Sequence, residues 1–141
     1  EEVDEEGFVS EGMSNSERTD LIHYAYEFMG IPYKWGGDNE DGFDCSGFTS
    51  HIFKQQGITL PRVASGQYKI AKTIRGKRAF MGDLVFFSEG KEITHVGILV
   101  NQPNEQKRMI HSGSSKGISV VDIEASDYWR GRLVGFGRII K

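Results

Sequence analysis

Cysteine is nearly absent from this chain, which has one, Cys45, among 141 residues. A single cysteine cannot form a disulfide within the chain, so disulfide bonds do not hold this fold together. Cys45 is then a small buried residue, a metal ligand or a reactive nucleophile. A zinc site is disfavoured, because no second cysteine or suitably spaced carboxylate supports one.

Long apolar runs are missing as well, since no run approaches the roughly 18 residues that a membrane-spanning helix needs. There is no basic excess either: 17 Lys and Arg stand against 20 Asp and Glu, for a formal net charge of -3. That balance argues against binding to nucleic acid by phosphate neutralisation. With 38% hydrophobic and 26% charged residues, the composition is that of one globular domain.

The first residues are strongly acidic, with five Asp or Glu among the first six and no periodic apolar pattern. We therefore expect an acidic leader or linker over residues 1–15 and one folded domain over residues 16–141. The chain opens on Glu, without a charged and then apolar signal segment. This favours a processed chain whose signal peptide or lipid anchor has been removed upstream.

Two helices are predicted in the first half of the chain. In the first, apolar residues recur at helical spacing from Leu21 to Met29, and Gly30 ends the helix. The second helix begins at or near Cys45 and ends at Gly57. Backbone N–H groups at a helix start stabilise a thiolate, so we expect Cys45 to be partly exposed with a lowered pKa.

Short segments rich in β-branched and aromatic residues, separated by turn-forming clusters, make up the second half. We predict five strands, mostly antiparallel, in the segments DLVFFS, THVGILVN, RMIHSG, GISVVDI and RLVGFGRII. Helices followed by strands indicate an α+β fold, with the helices packed on one side of a curled sheet.

A cysteine nucleophile needs a base within hydrogen-bond reach and a third group that orients this base. Two of the four histidines, His95 and His111, lie on consecutive predicted strands. A hairpin centred near residue 103 sets them directly opposite each other on one face. One imidazole could then serve Cys45 while the other fixes its tautomer. The spacing also allows two strand histidines with unrelated partners.

Taken together, these segments resemble the NlpC/P60 cysteine peptidases of bacterial cell walls. The motifs that carry the resemblance are PYKWGG, GFDCSGF, GITLPR, GDLVFF, HVGILV, MIHSG and YWRGRLVGFGRI. The resemblance runs from about residue 17 to the end and implies a papain-like α+β fold. It also implies a triad in which Cys45 is the nucleophile, His95 the general base and then acid, and His111 the orienting group.

The implied substrate is the stem peptide of peptidoglycan, cut between D-γ-glutamate and a diamino acid, either meso-diaminopimelate or Lys. The resemblance places Tyr33 near the nucleophile, where its hydroxyl and the Cys45 N–H would stabilise an oxyanion or bind substrate. Asp44 and Ser46 match positions that contact the polar ends of the substrate, with Asp44 gripping a peptide ammonium. Arg62 either meets a substrate carboxylate or forms a structural salt bridge.

The resemblance further implies an exported monomeric enzyme of the cell envelope that needs no metal or cofactor. Other functions stay open at this point. One is a CHAP-type amidase or endopeptidase, in which Asn or Glu usually takes the third catalytic position. Another is a catalytically silent wall-binding module, and a third is an enzyme of acyl transfer on lipids built on a permuted form of the scaffold.

Overall fold

The three longer helices lie in the first half of the chain and most strands in the second, in agreement with the α+β prediction. The computed structural model describes residues 12–140. Its helices are α1 (Asn15–Tyr26), α2 (Cys45–Lys54), α3 (Ala64–Ile70) and α4 (Asp127–Arg130), with a 3-10 turn at Gly76–Arg78. Its strands are β1 (Asp38–Asn39), β2 (Gly42–Phe43), β3 (Lys72–Ile74), β4 (Leu84–Glu89), β5 (Glu92–Leu99), β6 (Arg108–Gly113), β7 (Gly117–Asp122) and β8 (Leu133–Arg138).

The main sheet has six antiparallel strands in the order β3-β8-β4-β5-β6-β7, and β1 and β2 form a separate short ribbon. The five predicted strands correspond to β4 through β8 and are confirmed. The number five is wrong for the sheet, because β3 adds a sixth strand at one edge. β3 has only three residues, two of them exposed, so it carries no alternating pattern that the sequence could reveal.

Helix α1 begins with a capping box: the Ser14 hydroxyl accepts from the Glu17 N–H at 3.1 Å, and the Glu17 carboxylate accepts from the Ser14 N–H at 2.9 Å. Its buried face includes Leu21 and Ala25, as predicted. Met29 lies beyond the helix end and is 45% exposed, so its assignment to the apolar face is wrong. No helix between residues 12 and 140 is long and apolar enough to cross a membrane.

Helix α2 packs its apolar face into the main core through Phe48, Ile52 and Phe53, which are all fully buried. Its start at Cys45 agrees with the predicted boundary. The Asp44 carboxylate caps this start by accepting from the Gly47 N–H at 2.6 Å. The helix start therefore lies at the edge of the core with a fixed backbone.

Most of the predicted acidic leader, residues 1–11, lies outside the described residues. Within its last part, Met13 is buried against the core cluster and Ser14 caps α1. The folded region of the described chain therefore includes residues just before residue 16.

One buried ion cluster joins α1 to two central strands of the sheet. Oδ1 of Asp83 accepts hydrogen bonds from Arg18 at 3.0 Å and from Arg138 at 2.9 Å. Oδ2 of Asp83 accepts a second hydrogen bond from Arg138 at 2.9 Å and one from the Phe80 N–H at 3.1 Å. All three charged side chains are nearly or fully buried, so this carboxylate is well satisfied in a dry environment.

Candidate active site

The Cys45 thiol faces strand β5 from the first turn of α2. Its sulfur donates a long hydrogen bond of 3.9 Å to the Thr94 carbonyl and receives one from the Val96 N–H. These backbone groups flank His95 in the strand. The fold therefore brings the predicted nucleophile and the predicted base to one place, although 50 residues separate them in sequence.

His95 and His111 form a direct hydrogen bond, with 2.7 Å between Nε2 of His95 and Nδ1 of His111. Each ring comes from a neighbouring strand, β5 or β6. Because Nε2 of His95 is engaged, Nδ1 is the ring nitrogen left to take the thiol proton. For Nδ1 to act as a base, Nε2 must carry the hydrogen and donate it to His111.

The predicted hairpin register was wrong by two residues. The observed pairs are Ile98 with Ile110 and Leu99 with Met109, which places Gly97, not His95, opposite His111. Side chains alternate between faces with a period of two, so a shift of two keeps both histidines on the same face. The rings meet along the diagonal, next to Gly97, where an added Cβ would lie 2.6 Å from the Met109 Sδ and 3.3 Å from the His111 Cβ.

Burial lowers the pKa of both histidines. For His95 burial and then the nearby His111 lower the pKa to about 3, and for His111 burial lowers it to about 4. Both imidazoles are therefore neutral near pH 7. A neutral His95 is the protonation state that a general base requires.

Burial also raises the pKa of the Cys45 thiol, and the Asp44 carboxylate raises it further. Hydrogen bonds from the backbone N–H groups of Val96, Ser46 and Cys45 lower it but do not reverse the direction. The prediction of a lowered pKa is therefore wrong for the resting site, because it counted the helix start but not the loss of water. The resting pair is therefore a thiol and a neutral imidazole.

Trp129 of α4 covers both histidines, a role that the sequence analysis did not predict. Its ring centroid lies 4.8 Å from that of His95 and 5.2 Å from that of His111. Phe87 supports the indole from the sheet at 4.7 Å. These contacts contribute to the burial that lowers the histidine pKa values. Trp129 lies 34 residues from His95 and 18 from His111, so local pattern alone could not identify it.

The other predicted contacts fall into a polar network around the start of α2. Arg62 donates to both oxygens of Asp44, at 3.0 Å each, and to the Ser46 hydroxyl at 3.1 Å. It also donates to the Gly37 carbonyl at 3.3 Å. The structure thus brings Asp44, Ser46 and Arg62 together. The Asp44 carboxylate is 19% exposed and the Arg62 side chain 40% exposed.

Tyr33 lies near the Cys45 thiol, and a bridge pairs its backbone with Phe43 of β2. Burial raises the pKa of the Tyr33 hydroxyl, and the nearby Cys45 and Asp44 raise it further. The phenol is therefore protonated near pH 7 and able to donate a hydrogen bond. The Ser112 hydroxyl donates to the Phe43 carbonyl at 2.7 Å and ties β6 to this segment.

Gly47, in the first turn of α2, packs closely against Gly37 in the loop before the helix. A Cβ on Gly47 would lie 2.1 Å from the Gly37 carbonyl oxygen, which is too close for any side chain. Buried Gln67 ties the same helix turn to the following loop, donating to the Ser46 carbonyl at 3.2 Å and the Pro61 carbonyl at 2.9 Å. The glycine of the DCSG motif is therefore explained by close backbone packing.

A cavity of about 530 Å³ opens beside the histidine pair. Its lining residues are Tyr33, His95, His111, Ser112, Gly113, Ser114, Ser115, Lys116, Ser119, Val121, Tyr128 and Trp129. Cys45 is not among them, so the cavity extends from the histidine side of the site. Within the described residues, no group of three or more His, Cys, Asp or Glu side chains is arranged to hold a metal ion.

Comparisons with known proteins identify a family profile and several relatives that match this chain. The NlpC/P60 family profile matches residues 30–138. The bifunctional muramidase/DL-endopeptidase CwlT of Bacillus subtilis is 51% identical over 123 residues, which make up 84% of this chain and 36% of that protein. The gamma-D-glutamyl-L-lysine dipeptidyl-peptidase of Bacillus cereus is 35% identical over 113 residues, with 77% and 33% covered. This chain thus spans about a third of the length of these relatives.

Solved structures show the same fold. A lipoprotein-like NLP/P60 family protein from Staphylococcus aureus superposes with a TM-score of 0.80 at 32% identity. The match covers 92% of this chain and 43% of that one. The fold described above, with its helices and antiparallel sheet, is therefore shared with that structure.

Proposed function

Because this chain belongs to the NlpC/P60 family, we propose that it is a cysteine peptidase that cuts peptidoglycan stem peptides between γ-D-glutamate and the diamino acid. The observation that carries the proposal is the Cys45 thiol held against β5 beside the hydrogen-bonded His95 and His111 pair. The names of the two curated relatives, a DL-endopeptidase and a γ-D-glutamyl-L-lysine dipeptidyl-peptidase, support the choice of bond.

In the proposed reaction the Cys45 sulfur attacks the γ-carbonyl carbon of glutamate while its proton passes to His95. The C–N bond then breaks, and His95 returns the proton to the leaving amine, which leaves a thioester on Cys45. A water molecule that His95 deprotonates attacks the thioester and releases the γ-carboxylate and the free thiol. Tyr33 and the Cys45 N–H are the proposed donors to the oxyanion.

The network of Asp44, Ser46 and Arg62 is proposed to bind the acyl half of the substrate. Oδ2 of Asp44 accepts one hydrogen bond, from Arg62, and a carboxylate oxygen has a second lone pair for a peptide ammonium. Arg62 is already paired with Asp44, which favours a structural role over direct binding of a substrate carboxylate. Asp44→Asn should therefore weaken cleavage of peptides with a free amino end more than cleavage of blocked ones.

We also propose that the protein acts as a monomer in the cell envelope. One chain supplies Cys45, His95 and His111, so catalysis needs no group from a partner. Peptidoglycan, the proposed substrate, lies outside the cytoplasmic membrane, which requires that the enzyme be exported.

Mass spectrometry of digested muropeptides tests the proposed function. Wild-type protein should release fragments that end in γ-D-glutamate, and Cys45→Ala protein with an unchanged circular dichroism spectrum should release none. A synthetic peptide with an α-linked L-Glu should resist cleavage, since both the scissile carbonyl and the free carboxylate move. Release of stem peptides that begin with a free L-Ala amine, cut from the lactyl group, would instead support the amidase alternative, and the absence of any product would contradict peptidase activity.

A further inference from the structure

We infer that Lys116, at the cavity beside the two histidines, selects diamino acids that carry a free carboxylate on the side chain. This specificity rests on the proposed function, because it concerns the amine half of the γ-glutamyl bond. The amine half is the part of the substrate that leaves first.

The leaving half of the substrate must lie on the histidine side of the site. His95 donates a proton to the leaving nitrogen, so that nitrogen comes within hydrogen-bond distance of the ring. The acyl half stays bonded to Cys45, which does not line the cavity, whereas His95, His111 and Trp129 do. The residue attached to the leaving nitrogen is therefore directed into the cavity.

The lining of the cavity is suited to an anion. Among residues 12–140, Lys116 is the only lining residue with a formal charge near pH 7, since His95 and His111 are neutral there. No Asp or Glu of this described part of the chain lines the cavity. Several serines line it as well, and their hydroxyl groups can donate to a carboxylate. A ligand ammonium would find one positive charge and no carboxylate partner.

The turn that carries Lys116 is held at a defined position. It connects β6 to β7, whose ladder runs up to the pair of Gly113 and Gly117. Gly117 has φ +68, and a Cβ there would lie 2.2 Å from the Ile31 carbonyl oxygen. The Ile118 N–H donates to the same oxygen at 2.9 Å. The turn is thus packed on the segment just before Tyr33, and Lys116 stays at the cavity.

The two diamino acids of the proposed substrate differ at the group that Lys116 would meet. Lys ends in a bare ammonium, which a lysine side chain repels. Meso-diaminopimelate has the same ammonium but adds a carboxylate on the same carbon. The charge of the cavity therefore favours meso-diaminopimelate over Lys on the leaving side.

Four peptides of the form L-Ala-γ-D-Glu-X-D-Ala-amide test the inference, with kcat/KM as the measurement. X is meso-diaminopimelate, its side-chain amide or L-Lys, and the fourth peptide carries D-isoglutamine before meso-diaminopimelate. We expect wild type to prefer the free acid over its amide by about two- to fivefold, the range of an exposed ion pair. The preference should appear in KM and shrink at high salt.

Replacing the charge tests the residue itself. Lys116→Met should bring the ratio of acid to amide close to one, and Lys116→Glu should favour the amide and the Lys peptide. Lys54→Met is the matched control, because Lys54 is exposed at the far end of α2 from Cys45, and it should keep the wild-type ratio.

Three results would overturn the inference. One is an unchanged ratio in Lys116→Met, and another is equal cleavage of acid and amide by wild type. The third is a loss of activity in Lys116→Met that occurs with the D-Glu peptide but not with the D-isoglutamine peptide. That result would mean that Lys116 binds the glutamyl α-carboxylate and not the diamino acid. If wild type cleaves none of the peptides, the proposed function fails by itself. Calorimetric binding of acid and amide to Cys45→Ala protein then decides the inference, and equal affinity contradicts it.

Discussion

His95 and His111 bind protons less readily in the folded protein than in an unfolded chain, where the pKa of histidine is about 6.5. Between pH 6.5 and their folded values of about 3 and 4, the unfolded state binds more protons. The free energy of unfolding should therefore fall as the pH falls through this window, by roughly 1–3 kcal/mol per pH unit for the two groups.

Urea unfolding between pH 5 and 7, above the range where most carboxylates titrate, measures this slope. His111→Gln should flatten it, because one buried titrating ring is removed. His23→Gln is the control, since His23 is exposed on α1, and it should keep the wild-type slope. Equal slopes in all three proteins would contradict the assignment of neutral, buried imidazoles.

The two histidines should also differ in their effect on catalysis. His95→Ala removes the proposed base and the proposed acid for the leaving amine, so kcat should fall to near background, by about 10²–10⁴-fold. His111→Asn keeps a hydrogen-bonding side chain beside Nε2 of His95 and should leave measurable turnover. Initial rates on the γ-glutamyl peptide provide the measurement, and equal losses in both variants would contradict these roles.

At the scale of elements, the first turn of α2 depends on its contact with the loop at Gly37. Gly47→Ala puts a methyl group against the Gly37 carbonyl, so we expect a loss of about 1–3 kcal/mol in unfolding free energy and a lower kcat. Gly135→Ala is the control, because a Cβ at Gly135 in β8 meets nothing within 4 Å. Its stability should change by about 0.5 kcal/mol or less. A fully stable and active Gly47→Ala protein would contradict this packing argument.

Elements with many periodic residues were predictable from the sequence, and short ones were not. α2 and β4 through β8 have enough apolar residues at helical or strand spacing to be recognised. The strand β3 and the helix α3 are short, so the sheet and helices they contact determine them more than local pattern does. The predicted hairpin register is wrong by two residues. His95 and His111 still lie on the same face of the sheet, because only a shift by an odd number of residues would move one of them to the other face.

Long-range contacts explain what the sequence could not reveal about the site. Strand spacing suggested the pairing of His95 with His111, and the family resemblance implied that they form a triad with Cys45. The cover that Trp129 provides arises only when α4 folds onto the sheet. The direction of the pKa shift of Cys45 also depends on a long-range contact. The helix start is visible in the sequence, whereas the burial that outweighs it depends on β5.

For the whole molecule, the ion cluster at Asp83 joins the helical layer to the sheet. Asp83→Asn leaves Arg18 and Arg138 as buried cations without their shared carboxylate, which should cost about 3–5 kcal/mol of unfolding free energy. Asp127→Asn is the control, because Asp127 pairs with Arg130 on the surface, where a pair is worth about 1 kcal/mol or less. Chemical denaturation compares them, and equal effects would contradict a structural role for the buried cluster.

The protonated state of Cys45 also has a consequence for the lifetime of the enzyme. Oxidants such as peroxide attack the thiolate far faster than the thiol, and the first product is a sulfenic acid. A partly buried sulfur with a raised pKa holds little thiolate between catalytic cycles. In the proposed mechanism, reactivity develops mainly when the thiol proton passes to His95 during attack on a peptide, so the resting protein should resist oxidative inactivation.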